Sequence, residues 1–139
     1  MTQLLTYAAP LGRVLLSIMF ITSGLQKITG YAGTQGYMEM MGVPGFLLPI
    51  VIIVEVVGGI ALLIGWQARL SAFLLAGFSL VSGFLFHYLP SLGMEGMEAQ
   101  GQMISFMKNV TIAGGMLMVT AFGPGALSVE KRGSTVPAE

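Results

Sequence analysis

Seven side chains with charge or strong hydrogen-bonding capacity sit inside or at the ends of apolar stretches: Arg13, Gln26, Lys27, Glu55, His87, Lys108 and Asn109. Lysine, histidine and amide groups donate hydrogen bonds to an anion, a quinone carbonyl or a polar head group. A histidine can also move protons near neutral pH. A carboxylate such as Glu55, in the middle of an apolar run, has two stable states: protonated, or paired with a cation. Other chemistries lack their residues. With no cysteine and one histidine, there is no disulfide, no thiol relay and no donor set for a transition metal. No Gly-rich phosphate loop follows a strand, and no Ser/His/Asp arrangement suggests hydrolysis. Nothing signals haem or flavin.

The elements that must position these groups follow from composition. Of 139 residues, 55% are hydrophobic and 9% charged, against about 25% charged in the average soluble domain. Mean hydropathy is +0.85. A small soluble fold could not hide that much apolar surface, so lipid is the expected solvent. The zero net charge gives no case for binding nucleic acid. The long first apolar run is expected to be a retained helix and not a cleaved signal peptide.

A membrane helix needs about 20 apolar residues. Four segments meet this, residues 9–27, 46–66, 70–89 and 104–122. They predict an all-α, four-helix transmembrane bundle over residues 1–128, followed by a polar cytoplasmic tail, 129–139. The turn at 66–69 makes spans two and three a tight hairpin. Arg13, Arg69, Lys131 and Arg132 fall on one side, while Lys27 and Lys108 on the other are offset by Glu39, Glu95 and Glu98. The positive-inside rule then places both termini in the cytoplasm. The first outer loop, 28–45, predicts a short interfacial helix around Tyr37, Met38 and Glu39. The second, 90–103, carries Gly93, Gly96 and Gly101 and is expected to be mobile.

Helical spacing places Arg13, Ser17, Phe20, Gly24 and Lys27 on one side of span one. Glu55, Gly58, Gly59, Leu62 and Gly65 share a side of span two. Ala72, Ala76, Ser79, Gly83 and His87 form a seam on span three. Small residues on such seams let helices approach closely in lipid. Two groupings follow. Arg13 is expected to pair with Glu55 inside the membrane. Gln26, Lys27, His87, Lys108 and Asn109 fall at similar depth and are expected to line an outward-opening pocket, with Glu39 closing over it. Plainer roles exist for both: the ion pair could only fix helix register, lysines at helix ends snorkel to head groups, and a lone histidine is often an anchor.

The order of short motifs also carries information. Gly24-Leu25-Gln26-Lys27, Gly42-Val43-Pro44, Glu55 through Gly65 with Arg69, Phe86-His87, Phe106-Met107-Lys108-Asn109, Gly114-Gly115 and Phe122 through Ser128 together resemble the DoxX family of small bacterial membrane proteins. The likeness runs from about Leu11 to Ser128. It implies a four-helix, multi-pass protein of the bacterial inner membrane, and carries over Lys27, Glu55, His87, Lys108 and Asn109. It also implies kinship with the DoxD-type membrane subunit of a thiosulfate:quinone oxidoreductase, and with complexes that handle oxidative stress. Three functions are compatible with this. The first is a membrane subunit or accessory of an oxidoreductase, with a quinone or anion in the outer pocket. The second is a scaffold without chemistry for a membrane or periplasmic partner. The third is a small transporter or proton path along Glu55, which would need a homo-oligomer.

Overall fold

The computed structural model describes residues 1–130. Every regular element among them is helical. Helix α1 spans Thr2–Thr29, and a break at Gly30 turns the chain into α2, Tyr31–Met40. Gly42, at φ +78, and Pro44 reverse the chain into α3, Leu48–Ile64. Pro49 occupies the first turn of α3, where its missing N–H is not needed. Gly65, at φ +73, ends α3 in the left-handed conformation that glycine adopts without a Cβ clash. Helix α4, Ala68–Gly83, runs into a π-helical turn at Phe84–Tyr88 and then α5, Leu89–Ser91. Helix α6 covers Gly96–Phe122.

Four stretches are long and apolar enough to cross a membrane: Thr2–Thr29, Gly45–Ile64, Ala68–Ser91 and Gly96–Phe122. The first and last begin seven or eight residues earlier than the apolar runs alone indicate. Consequently the loop between the third and fourth spans is shorter than expected. Residues 96–103, expected to be mobile, are the first two turns of α6. The short helix expected in the first loop is present as α2.

Helix α1 packs on α3, α3 on α4 and α4 on α6, while α1 and α6 touch little. The core is small: Phe20, Leu62, Ala72, Leu75, Ala76, Ala113 and Met116. Many large apolar side chains point outward, among them Leu15, Ile53, Phe73 and Met118, as lipid-facing residues do. Dispersion at close approach therefore holds the helices together more than burial from water does. Gly59 lets the α3 backbone sit against Phe20 and Ile21, and Gly24 sits against Glu55 and Val56. A Cβ at Gly59 would lie 2.8 Å from an Ile21 carbon.

At the end of the bundle that holds the α3–α4 turn, the two arginines serve carbonyl groups. Arg13, only 3% exposed, donates from Nε to the Leu63 carbonyl at 3.2 Å, from Nη1 to Pro124 at 2.5 Å and from Nη2 to Leu127 at 2.7 Å. It thus ties α1 to the end of α3 and to the segment after α6. The Val129 and Glu130 amides continue that clamp by donating to the Ile64 and Gly65 carbonyls. Arg69 donates to the Thr120 and Ala121 carbonyls, which otherwise lack partners at the C-terminus of α6. The Gly-Pro-Gly segment after α6 is therefore half of this clamp as well as a helix stop. The polar tail, with Lys131 and Arg132, lies outside the described residues apart from Val129 and Glu130.

Candidate functional site

The expected Arg13–Glu55 pair does not form, because the helix register forbids it. Arg13 is level with Leu63, which it bonds. Gly24 is level with Glu55, whose Cβ it nearly touches. Those two levels on α1 are eleven residues apart, about 16 Å at about 1.5 Å per residue. Lys27 lies three residues past Gly24, less than one turn, and is the cation within reach. Its Nζ donates to Glu55 Oε1 at 3.0 Å and to Ser23 Oγ at 2.7 Å. Ser23 Oγ donates in turn to Glu55 Oε1 at 3.1 Å, which closes a three-membered cluster. Glu55 Oε2 lies 2.9 Å from Nζ, a charge contact whose alignment makes no hydrogen bond, and Oε2 accepts none from any other described group.

This cluster faces a cavity of about 260 Å³ between the helices. Lys27 and Ser23 come from α1, Glu55 from α3, Ser79 and Ser82 from α4, His87 from the π turn and Asn109 from α6. Phe20, Phe78 and Phe86 supply apolar wall, and Thr34, Tyr37 and Met38 of α2 close one end. Tyr37 stacks on Phe86 with ring centroids 5.8 Å apart, which fixes α2 over the opening. Asn109 enters because Gly83 has no side chain; a Cβ there would sit 2.8 Å from its Nδ2. The π turn has a similar local use. One extra residue per turn in the run Phe84–Tyr88 re-aims the side chains that follow, a device frequent at functional sites. It places His87 at the cavity, with Nδ1 2.8 Å from Gln102 Oε1.

Of the five residues expected to line an outer pocket, Lys27, His87 and Asn109 do so. Gln26 and Lys108 do not. Each is next in sequence to a lining residue, and neighbours on a helix point about 100° apart. Gln26 is exposed on α1. Lys108 is exposed on α6, in an open groove with Met103, Ile104 and Met107. Glu39 also stays off the cavity, because its carboxylate lies against Gly45. In its place Glu55 contributes the carboxylate. Ser23 was legible, four residues before Lys27 and so on its face. Gln102 carried no signal, because its role depends on the π turn and on the early start of α6.

Among the described residues Ser79 Oγ is buried without a hydrogen-bond partner, while Glu55 Oε2 has the Lys27 ammonium at 2.9 Å; both residues line this cavity. Buried polar groups are nearly always satisfied, so such exceptions call for an explanation. The arrangement is a neutralised ion pair beside the unpartnered Ser79 hydroxyl, in a slot with aromatic walls.

The DoxX family model matches residues 8–88. The chain is 52% identical over 119 residues to the inner membrane protein YqjF of Escherichia coli K12, covering 86% of each. It is 33% identical over 124 residues to the inner membrane protein YphA of the same organism, covering 88% of this chain and 87% of the other. It is 31% identical over 64 residues to the putative oxidoreductase CatD of Bacillus subtilis 168, covering 46% of this chain and 48% of the relative. No solved structure matches.

Proposed function

This chain belongs to the DoxX family, and from that membership and the cavity we propose that it is a membrane subunit or accessory of an oxidoreductase that binds a quinone head group between its helices. The observation that carries this is the neutralised pair at the cavity. Lys27 is the cation of the cavity, and Glu55 balances it. An anion would have to displace the carboxylate, whereas an uncharged ring bearing oxygen atoms would not. Phe20, Phe78, Phe86 and Tyr37 give flat apolar wall for such a ring, and Ser79, Asn109 and His87 give polar contacts at its edge. At about 260 Å³ the cavity is smaller than the roughly 300–1,000 Å³ of drug-sized sites. It therefore suits the ring, with any isoprenoid tail among the lipids. The partial likeness to a protein named as a putative oxidoreductase points the same way.

We place the protein in the bacterial inner membrane, as the names of its relatives YqjF and YphA suggest, with both termini cytoplasmic. In that orientation Arg13 and Arg69 lie at the cytoplasmic end, and the cavity with its α2 cover lies in the outer half. A proton path along Glu55 is less well supported. Between Glu55 and the Arg13 end, α1 and α3 are closed by Gly24 on Val56 and Gly59 on Ile21. The test is to extract the protein in mild detergent and look by mass spectrometry for a bound quinone and a copurifying subunit. A quinone retained by the wild type and lost in Asn109→Leu and Phe86→Ala supports the proposal. A protein that carries none, and binds no added short-chain quinone, refutes it.

A further inference from the structure

The geometry points to Ser79 as the residue that holds one ring oxygen of the ligand, so that the ring enters oxygen-first and lies along α4 between Ser79 and Asn109. This rests on the quinone proposal and goes beyond it by assigning the orientation of the ring and the residue at each end.

A hydroxyl inside a helix commonly turns back onto a carbonyl of its own helix. Ser17, Thr22, Ser105, Thr111 and Thr120 all do so, each to the residue four before it. Ser79 does not. It is 2% exposed, its Oγ has no partner among the described groups, and it lines the cavity. Leaving a buried hydroxyl unpaired costs free energy, and a quinone carbonyl oxygen accepts the proton it carries. Ser82 is less available, because it donates to the Ser79 carbonyl. Position along the helix then orients the ring. Ala72, Leu75 and Ala76, in the turns before Ser79, belong to the core, so Ser79 lies at the floor of the cavity. Gly83 is four residues further on, about 6 Å along α4, and Asn109 packs against it. One helical turn is the scale of a six-membered ring with oxygens at opposite ends. A ring whose first oxygen accepts from Ser79 thus brings its second to the Asn109 amide, which can donate. Phe20 and Phe78, set edge to face with centroids 6.4 Å apart, wall the same end of the cavity.

The test is infrared difference spectroscopy, with calorimetry alongside, on purified protein in mild detergent. The probe is a short-chain ubiquinone, isotope-labelled at one ring carbonyl or at the other so that the two bands can be told apart. A hydrogen bond lowers the stretching frequency of the carbonyl that accepts it, so both bands of the bound quinone are expected below their free positions. Ser79→Ala should return one band toward its free position and Asn109→Leu the other. Each should weaken binding by roughly three- to tenfold, the worth of one hydrogen bond. Melting temperatures report whether the variants fold. Should they not, Ser79→Cys, a weaker donor, and Asn109→Ala take their places. If the quinone binds and Ser79→Ala leaves both bands and the affinity unchanged, or moves both bands equally, the inference is overturned and the quinone proposal stands. Failure of the wild type to bind the quinone overturns the two together.

Discussion

Replacing Lys27 by Met tests the register of the bundle directly. It removes the cation from a carboxylate that is 4% exposed. Breaking a well-buried ion pair from one side typically costs about 3–5 kcal/mol. Here the lysine side chain is 25% exposed, so the expected loss is smaller, about 2–3 kcal/mol. Replacing Glu55 by Met as well removes the stranded charge, and the double variant should recover most of the stability. The coupling energy between Lys27 and Glu55 should therefore be about 2 kcal/mol. Arg13 provides the control. It sits about 16 Å along the helix from the level of Glu55, so Arg13→Met and Glu55→Met should add within about 0.5 kcal/mol. The assay is reversible unfolding in mixed detergent micelles, followed by circular dichroism, on the four proteins of each cycle. Coupling between Arg13 and Glu55 with none between Lys27 and Glu55 would show that α1 is displaced along α3 by several turns, and the cavity as described would not exist.

Other outcomes are expected from the same geometry. Arg13→Lys should lower the thermal midpoint nearly as much as Arg13→Ala, because one ammonium cannot span the Leu63, Pro124 and Leu127 carbonyls; several kcal/mol are at stake, and a full rescue by lysine would contradict the clamp. Gly59→Val should destabilise by at least about 1–3 kcal/mol through overpacking on Ile21. Gly114→Ala, with nothing within 4 Å of the new methyl, should be neutral or stabilise by up to about 1 kcal/mol in the same unfolding assay. Ser79→Ala should raise the stability of the ligand-free protein by about 1 kcal/mol, by removing a buried unpartnered hydroxyl, yet weaken ligand binding in calorimetry. A loss of both stability and binding would assign Ser79 to packing.

The α2 cover also bears on how a ligand enters. It is held by one stacked ring pair, Tyr37 on Phe86, and by buried Met38, and it is flanked by the break at Gly30 and by Gly42. Because the sequence contains no cysteine, a pair placed at positions 37 and 86 would be the only thiols present. Such a pair would be clean to crosslink in a measurement of ligand exchange.

Amphipathic and apolar patterning was enough to establish the solvent and the number of spans, because a bilayer imposes a length and an apolarity that few other structures need. Side-chain periodicity also identified which face of spans one and three turns inward. Arg13, Ser17, Phe20 and Gly24 on α1 and Ala72, Ala76, Ser79 and Gly83 on α4 are all buried as their spacing requires. Depth was the part that periodicity could not supply. Sliding one antiparallel helix along another leaves each helix's own pattern unchanged, so the pattern that led to an expected Arg13–Glu55 pair could not show that Lys27, on the same face, was the partner. Close contacts at two glycines, Gly24 on Val56 and Gly59 on Ile21, set the offset and chose Lys27. The π turn at Phe84–Tyr88 likewise breaks the regular spacing on which sequence inference depends, and with it came the contact between His87 and Gln102. Which residues face inward is a local property of each helix. Which of them meet is decided only when the helices pack.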